Sequence, residues 1–363
     1  MITTPIAKKK RVAIVGATGI AGQQFVVCLE NHPWFEITGL AASARNAGRS
    51  YRDALKQANG SMGWWCGALP ADRLLDMIVL DGNALDPRDY DVVFTAVESD
   101  AAKEIEPRLA EHVPVFSTAN ACRMESDVPL LIPGVNDDHL DLVAHQQRTR
   151  GWKGFVLPIP NCTTTGLAVA LAPLHRAFGL KLVVMTSMQA VSGAGRNGGV
   201  LSLDVVDNLI PYIPKEEEKV QKETQKILGT LSGNAIVPGA FGVTCTCTRI
   251  AVLDGHTETV LATFERPVSV AAAREVMAGF GKNLAHLPTA PTSLIAIHDD
   301  PFRPQPRLDR DLEQGMVTSV GRLRVDPVFD NGLKFVLVSH NTRMGAARGA
   351  TLLAEVALER GLF

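Results

Sequence analysis

Short apolar runs alternate with segments of helical periodicity through the first half of the chain. Arg11 to Val15 is apolar after its first residue, as in a strand buried on both faces. Gly16 to Gly22 is rich in glycine, Gln24 to Asn31 has a helical apolar period, and Phe35 to Ala42 is a second apolar run. This succession predicts a strand, turn, helix and strand with a parallel pairing.

The same pattern continues toward the middle of the chain. Apolar runs at Leu74–Leu80, Val92–Ala96 and Val113–Ser117 predict further strands, and Ala101 to His112 predicts a helix. We expect a doubly wound α/β parallel sheet of the Rossmann type that extends to about residue 157.

The second half has longer apolar runs with fewer helices between them. Strands are predicted at Leu180–Gln189, Ile250–Arg266, Val317–Asp326 and Leu333–Ser339. Helices are predicted at Thr163–Gly179, Ser269–Leu284 and Gly345–Arg360. A turn at Asn331-Gly332 separates the last two strands. This pattern favours a second domain of α+β type with a mixed or antiparallel sheet.

Composition and charge exclude several classes of function. Hydrophobic residues make up 46% of the chain and charged residues 20%, the balance of a globular protein. A formal net charge of −2 offers no general attraction to nucleic acid or to an anionic membrane. No apolar run approaches the roughly 20 residues that cross a bilayer, and no apolar segment follows the basic cluster Lys8–Lys10. We therefore expect no signal peptide and a cytoplasmic location.

The six cysteines indicate neither a metal site nor a disulfide framework. They occur at Cys28, Cys66, Cys122, Cys162, Cys245 and Cys247. None has C-x-x-C spacing, and none is paired with a nearby histidine, so we expect no bound metal and reduced thiols.

The turn at Gly16–Gly22 has the spacing G-A-T-G-x-x-G, close to the dinucleotide fingerprint. Glycine is required there because a Cβ would block the tight turn and the approach of a pyrophosphate to the helix. The position of the turn, between a strand and a helix, strengthens the prediction. We expect Gly16, Thr18, Gly19 and Ile20 to contact a dinucleotide.

The end of the second predicted strand indicates which dinucleotide binds. An NAD site usually has a carboxylate there for the ribose 2′-hydroxyl. This strand ends at Ala42 and is followed by Ser43 and Arg45, while Glu36 lies near its other end. Ser43 and Arg45 can bind a 2′-phosphate, so the sequence predicts NADP.

Cys162 lies where a loop meets the start of a predicted helix, in the segment Pro160–Gly166. Backbone N–H groups and the helix dipole at such a position favour a thiolate and can bind an oxyanion. Cys162 is a candidate nucleophile on this basis, although a buried and inert cysteine fits the segment equally well.

A base for this thiol is less clearly indicated. His256 lies in the turn-like segment Asp254–Glu258, and a lone histidine is more often structural. Gln189, Arg249 and the charged run Lys215–Lys219 add polar groups. In isolation, the Glu-x-x-Lys spacing of Glu216 and Lys219 is typical of a solvated surface pair.

Taken together, the motifs resemble aspartate-β-semialdehyde dehydrogenases, and specifically their archaeal and fungal branch. The matching segments occur in the family's order and span nearly the whole chain. They are GATGIAGQ (Gly16–Gln23), PNCTTTGL (Pro160–Leu167), MQAVSGAG (Met188–Gly195), DNLIPYI with EEEK (Asp207–Lys219), DGHTE (Asp254–Glu258), VGRLRVDP (Val320–Pro327) and SHNTRMGAARG (Ser339–Gly349).

The resemblance implies reduction of L-β-aspartyl phosphate by NADPH to L-aspartate-β-semialdehyde and phosphate, on the route to lysine, threonine and methionine. It implies a covalent thioester on Cys162, with His256 as general acid/base and Gln189 orienting the intermediate. For the substrate it implies Arg249 at the carboxylate, Glu216 at the amino group, and Arg123 with Lys219 at the phosphate, beside Asn161. Near the nicotinamide it implies Ser192, Gly193, Asn341 and Gly345.

The resemblance also implies a domain organisation and an assembly. Residues 1–157 and 341–363 would form a discontinuous NADP-binding domain that the C-terminal helix closes. Residues 158–340 would form the catalytic domain, whose sheet makes the interface of a homodimer or homotetramer.

Several positions depart from the family pattern. Thr118 replaces an amide and Cys122 a histidine, Arg196-Asn197-Gly198 replaces Y-P-G, and Arg348 replaces a glycine. An alternative is therefore a paralogous NADPH-dependent acyl-phosphate or acyl-CoA reductase, similar to malonyl-CoA reductases. Retention of both Arg249 and Glu216 favours an amino-acid-like substrate. A second alternative, a non-catalytic NADP-binding protein, is disfavoured by the intact Cys162 and His256.

Overall fold

The computed structural model describes residues 8–195 and 202–363, and its contacts divide the chain into two compact units. The first unit contains residues up to Pro129, Leu140–Ile159 and Ala346–Phe363. The second contains Leu130–His139 and Pro160–Gly345. These boundaries differ from the sequence-based division in that residues 130–139 and 341–345 group with the second unit, and residues 158 and 159 with the first.

The first unit is built on a six-stranded sheet in which every pairing is parallel. Its strands are β1 (Lys10–Val15), β2 (Phe35–Ala42), β3 (Val79–Asp81), β4 (Val92–Thr95), β5 (Val115–Ser117) and β6 (Val156–Pro158), in the order β3-β2-β1-β4-β5-β6. Its helices are α1 (Ile20–Leu29), α2 (Tyr51–Ala54), α3 (Asp72–Leu75), α4 (Ser99–Ala110), α5 (Val143–Arg150) and, from the end of the chain, α11 (Ala347–Glu359). The predicted Rossmann-type sheet is confirmed.

Aromatic rings form a continuous part of this unit's core. Phe25 contacts Phe94 with 5.0 Å between ring centroids, Phe94 contacts Phe116 at 5.6 Å, and Phe116 contacts Phe155 at 5.9 Å. The C-terminal Phe363 lies 5.9 Å from Phe116. Phe363 therefore packs on the same sheet that contains the first strand, β1.

Two polar contacts join α11 to α1 and to the segment that follows α1. His32 Nε2 lies 2.7 Å from Glu355 Oε1, and the Cys28 thiol lies 3.5 Å from Thr351 Oγ1. Both pairs have the same sequence offset, so the two helices run parallel, with their N-termini at the same end. The helix at the end of the chain is thereby part of the first unit.

The second unit is built on a seven-stranded mixed sheet, as the sequence predicted. Its strands are β7 (Leu180–Gln189), β8 (Leu209–Ile210), β11 (Gly242–Ile250), β12 (His256–Phe264), β13 (Ile295–Ile297), β14 (Thr318–Val325) and β15 (Gly332–Ser339), in the order β13-β14-β15-β12-β7-β11-β8. β9 (Thr230–Ser232) and β10 (Ala235–Val237) form a separate hairpin. The helices are α6 (Cys162–Phe178), α7 (Ser202–Val205), α8 (Glu216–Ile227), α9 (Val270–Met277) and α10 (Pro306–Asp309).

Two predicted strands were wrong in their extent. Leu74 and Leu75 belong to α3, so the strand predicted at Leu74–Leu80 is instead the shorter β3, Val79–Asp81. The strand predicted at Ile250–Arg266 is interrupted before His256, where Gly255 has φ of +94°. A glycine with positive φ marks a turn that strand residues cannot make.

The structure also contains a strand that hydrophobicity did not predict. β11 has the sequence GVTCTCTRI, in which threonine and cysteine alternate. Its Arg249 pairs in parallel register with Gln189 of β7. Because the exposed Thr244 and Thr246 alternate with the small buried Cys245 and Cys247, the alternation lacks the large apolar residues that identify most strands.

Gly22 allows α1 to pack closely on the turn that precedes it. A Cβ at Gly22 would lie 2.1 Å from the Gly16 carbonyl oxygen and 2.8 Å from Ala17 Cα, which are both backbone atoms. A Cβ at Gly19 would meet only the Gly16 oxygen, at 3.5 Å.

We therefore expect Gly22→Ala to lower the free energy of unfolding by about 1–3 kcal/mol, because the backbone must shift to relieve the overlap. Urea denaturation measures this change. Gly19→Ala is the matched control and should change stability by less than about 0.5 kcal/mol. Equal effects of the two substitutions would show that close packing at Gly22 is not required.

Candidate active site

Asn161 and the first turn of α6 determine where Cys162 lies. Asn161 is the N-cap residue, and its Oδ1 accepts hydrogen bonds from Thr163 N at 2.9 Å and Thr164 N at 3.2 Å. This capping satisfies two of the N–H groups that the first turn leaves without a partner within the helix. Cys162 is the first helical residue and is half-buried, so its thiol lies at the positive end of the helix dipole.

Three strands of the sheet bring the remaining polar side chains to the same edge. Gln189 ends β7 and Arg249 lies next to the end of β11, and these two strands are parallel neighbours. His256 begins β12, which runs antiparallel to β7, so its first residue lies beside the end of β7. All three side chains are buried. The sheet topology therefore assembles residues that are up to 67 positions apart in the chain, counted from Gln189 to His256.

Cys162 and His256 are in direct contact. Cys162 Sγ lies 3.1 Å from His256 Nε2. The other ring nitrogen of His256, Nδ1, accepts a hydrogen bond from the backbone N–H of Ala190 at 3.1 Å. Because Nδ1 accepts, the neutral ring carries its proton on Nε2. The N–H group that faces the sulfur is therefore a donor.

The surroundings of His256 favour this neutral ring. The imidazole is fully buried, and this burial lowers the pKa of His256 to about 3, with smaller contributions from the nearby Arg249 and His340. Protonation would also place a second proton on Nδ1, against the Ala190 N–H group. His256 is therefore uncharged across the neutral pH range.

Arg249 is a buried cation with donors directed into the site. Its Nη1 donates to the Ala190 carbonyl at 2.7 Å, while within the described residues Nε has no hydrogen-bond partner. Burial lowers the pKa of Arg249, although nearby Cys162 and Glu216 oppose the shift. A guanidinium in this state is suited to a carboxylate ligand, which would satisfy its remaining donors.

Glu216, at the start of α8, links several of these groups. Its Oε1 accepts from Asn161 Nδ2 at 2.8 Å and from Gln189 Nε2 at 3.2 Å. Its Oε2 lies 3.5 Å from Lys219 Nζ, and the Lys219 side chain is 30% exposed. The pair that the spacing alone would place on a solvated surface therefore includes a buried carboxylate.

The glycine-rich turn after β7 lies over this cluster. A Cβ at Gly193 would lie 3.0 Å from Arg249 Nη1 and 3.1 Å from His256 Cε1. Asn341 ties the turn in place, because its Nδ2 donates to Ser192 Oγ at 2.8 Å and its Oδ1 accepts from Gly255 N at 2.9 Å. Because residue 193 is glycine, only backbone atoms lie beside His256 and Arg249 at this point of the turn.

Gly345 packs directly on the residue that carries the thiol. A Cβ at Gly345 would lie 2.8 Å from Cys162 Cβ and 3.0 Å from its Cα. The second unit thus brings together eleven of the residues selected from the sequence: Asn161, Cys162, Gln189, Ser192, Gly193, Glu216, Lys219, Arg249, His256, Asn341 and Gly345.

The other selected residues lie in the first unit. Gly16, Thr18, Gly19 and Ile20 form the turn between β1 and α1, where Tyr51 Oη donates to the Ala17 carbonyl at 2.7 Å. Ser43 and Arg45 are exposed just after β2. Arg123 is buried, and its Nη2 donates to the Thr118 carbonyl at 3.0 Å.

Of the departures from the family pattern, Cys122 is buried, and burial raises the pKa of its thiol to about 12. Arg348 is half-buried on α11. Arg196, Asn197 and Gly198 lie outside the described residues.

Sequence reasoning missed several buried groups near the site. Glu223 accepts a hydrogen bond from the backbone of Asn161, and His340 is buried, which lowers its pKa to about 4. Glu258 is fully buried, and burial raises its pKa well above the ordinary value. His340 and Glu258 lie inside motifs quoted above, but no spacing rule distinguishes them. Ala190 acts through its backbone, which no side-chain motif can reveal.

Within the residues described, no cluster of three or more histidine, cysteine, aspartate or glutamate side chains is arranged to hold a metal ion. Over the same residues, no helix has the length and apolar character needed to cross a bilayer.

The neutral His256 makes a prediction about the reactivity of Cys162. We expect the rate of alkylation by iodoacetamide to rise with pH in one step, as the thiol ionises. An imidazolium–thiolate pair would instead give a pH-independent plateau between pH 4 and 6, and we expect no such plateau. The reason is that His256, with its pKa of about 3, is already uncharged throughout that range. His256→Ala should slow alkylation at pH 7 about tenfold, because the thiolate loses its Nε2–H donor.

Mass spectrometry of the labelled peptides measures this reaction, and Cys162→Ser identifies the signal of this thiol. Cys122 and Cys247 should react far more slowly, since burial raises the pKa of the former, and contact with Cys245 together with burial raises that of the latter. A plateau of rapid labelling that extends below pH 5 would contradict the neutral pair.

Comparison with known proteins agrees with the resemblance in the sequence. The models for "Semialdehyde dehydrogenase, NAD binding domain" and "Semialdehyde dehydrogenase, dimerisation domain" match residues 11–143 and 171–344. The chain is 44% identical to the aspartate-semialdehyde dehydrogenase of Methanothermobacter thermautotrophicus over 95% of this chain and 98% of that protein. It is also 44% identical to that of Archaeoglobus fulgidus, over 96% of this chain and 98% of that protein.

A solved structure gives the same result for the fold. The crystal structure of aspartate semialdehyde dehydrogenase with NADP from Candida albicans superposes with a TM-score of 0.86, at 36% identity, over 98% of this chain and 100% of that chain. These matches span both units and include archaeal and fungal proteins. The chain therefore belongs to the aspartate-semialdehyde dehydrogenase family.

Proposed function

We propose that this protein is an NADP-dependent aspartate-β-semialdehyde dehydrogenase that reduces L-β-aspartyl phosphate through a thioester on Cys162. The observation that carries the proposal is the 3.1 Å contact between Cys162 Sγ and His256 Nε2, beside the buried Arg249 and Glu216. The products would be L-aspartate-β-semialdehyde and phosphate, in the synthesis of lysine, threonine and methionine.

Cys162 would act as the nucleophile. The sulfur forms a bond to the acyl carbon, and the bond from that carbon to the phosphate oxygen breaks, so that phosphate leaves and a thioester remains. Covalent catalysis of this kind divides one difficult step into two easier ones. The first turn of α6 supports the thiolate by its dipole and by its N–H groups.

His256 would act through the proton on Nε2. In the neutral tautomer this N–H group donates to the sulfur or to the oxygen that becomes negative as the carbonyl carbon turns tetrahedral. The family role of general acid/base is thereby narrowed to that of a hydrogen-bond donor, since the nitrogen that faces the sulfur already carries the one proton of the neutral ring. Gln189, next to Ala190, would orient the same intermediate.

Arg249 and Glu216 would recognise the amino-acid part of the substrate. Arg249 would bind the carboxylate with two hydrogen bonds, and Glu216 the ammonium group. Both side chains are at least nine-tenths buried, which strengthens a charge pair and makes an uncharged substrate unfavourable. Lys219 and Arg123 would bind the phosphate group.

The first unit fits a dinucleotide on its own geometry. Gly16 has φ of +88°, and a Cβ there would lie 2.3 Å from the Ala96 carbonyl oxygen, so only glycine forms this turn. Gly16, Thr18, Gly19 and Ile20 would hold the pyrophosphate at the start of α1. When bound, NADPH supplies the hydride. Ser192, Gly193, Asn341 and Gly345 would position its nicotinamide ring.

Ser43 and Arg45 would select NADP over NAD. Both lie beyond the end of β2 and are exposed, so each can reach a 2′-phosphate. The related Candida albicans enzyme was solved with NADP, which supports the choice. We also propose a cytoplasmic homodimer or homotetramer, in keeping with the dimerisation-domain model that matches the second unit.

An assay of the reverse reaction tests the proposed activity. With aspartate-β-semialdehyde, phosphate and NADP, we expect formation of reduced cofactor, followed by its absorbance, and Cys162→Ser should lower kcat at least about 10³-fold. Malonate semialdehyde and other small aldehydes provide the comparison. Turnover of one of these aldehydes, without turnover of aspartate-β-semialdehyde, would favour a paralogous acyl-phosphate or acyl-CoA reductase.

The cofactor preference has its own test. Arg45→Ala should raise the KM for NADP about tenfold or more and leave that for NAD unchanged, because a charged hydrogen bond to the 2′-phosphate is lost. Arg49→Ala is the matched control, since Arg49 is an exposed arginine nearby whose guanidinium bonds to Asn46 Oδ1 within its own loop. An unchanged KM for NADP in Arg45→Ala would exclude Arg45 from the site.

A further inference from the structure

Helix α8 presents two buried carboxylates to the residue that precedes the nucleophile. Glu216 and Glu223 are seven positions apart, so they lie two turns apart on the same side of the helix. Glu216 is 6% exposed and Glu223 is 2% exposed. Only the first of them has a place in the proposed reaction.

Glu223 contacts the backbone next to Cys162. Its Oε2 accepts a hydrogen bond from Asn161 N at 2.7 Å. The Asn161 side chain donates to Glu216 and caps α6, and its carbonyl accepts from Thr165 N at 2.9 Å and Thr165 Oγ1 at 3.0 Å. Every polar group of Asn161 is therefore hydrogen-bonded, and Glu223 is the partner of its backbone N–H group.

The position of this carboxylate requires an explanation. An ionised side chain is costly to bury, and a second negative charge near a thiolate opposes ionisation of the thiol. A charged acceptor, however, makes a stronger and shorter hydrogen bond than a neutral one. The contact thus stabilises the geometry of the loop, while the negative charge of Glu223 opposes ionisation of the Cys162 thiol.

We propose that Glu223 is a positioning residue for the nucleophile: by binding the Asn161 N–H group it fixes the turn that sets Cys162 Sγ against His256 Nε2. The inference deepens the proposed function and rests on it for the role of Cys162.

Two substitutions separate positioning from charge. Glu223→Gln has nearly the same volume and keeps an acceptor oxygen but loses the charge, whereas Glu223→Leu loses the acceptor as well. We expect Glu223→Gln to retain kcat within about threefold and to move the midpoint of Cys162 alkylation to lower pH, because a negative charge is removed. Glu223→Leu should lower kcat by about tenfold or more with little change in KM, since the nucleophile is misplaced.

Thr224→Val is the matched control, because Thr224 is a fully buried neighbour on α8 whose hydroxyl has no hydrogen-bond partner among the described residues. Its kcat and alkylation profile should equal those of the unaltered protein. Equal loss of kcat in the Gln and Leu variants, or an unaltered alkylation profile in both, would overturn the proposal. If Glu223→Leu does not fold, the Gln variant decides, and loss of its kcat or an unchanged midpoint refutes the role.

Alkylation of Cys162 reports on the loop without any assumption about the substrate. If the unaltered protein does not turn over aspartate-β-semialdehyde, the proposed function fails, while the order of alkylation rates in the variants still tests Glu223.

Discussion

The cap that Asn161 places on α6 is the interaction on which the rest of the candidate active site depends. The side-chain oxygen of Asn161 binds two N–H groups of the first turn, and the next residue carries the thiol. A shift of this residue would move Cys162 relative to an imidazole that is already fixed by the sheet. Because reacting groups lose much of their advantage when they are misplaced by about 1 Å, the cap and the carboxylates that hold it act together.

The sheet provides the opposite half of the same geometry. His256 and Arg249 both bind the backbone of Ala190. His256 accepts a hydrogen bond from the Ala190 N–H group, and Arg249 donates one to the Ala190 carbonyl. A single peptide segment after β7 thus sets the tautomer of the histidine and the orientation of the arginine. This arrangement is stiff, because it uses backbone groups at the ends of paired strands in place of flexible side chains.

Burial gives these groups their chemical character. His256 is uncharged because a fully buried imidazole next to Arg249 is costly to protonate. Arg249 remains a cation with an unsatisfied Nε within the described residues, and this state favours a ligand that brings a carboxylate. The buried guanidinium is therefore complementary to a carboxylate before any ligand enters.

The sequence by itself determined many of the elements and the candidates for chemistry. Glycine spacing predicted the turn after β1, apolar periods predicted the two sheets, and the motif around Cys162 predicted a helix start, because each of these signals is local. Only the tertiary structure decided that Glu216 is buried, that Ala190 sets the tautomer of His256, and that β11 lies beside β7. Those facts depend on strand register and on contacts between distant residues, and hydrophobic periodicity carries no information about which strands become neighbours.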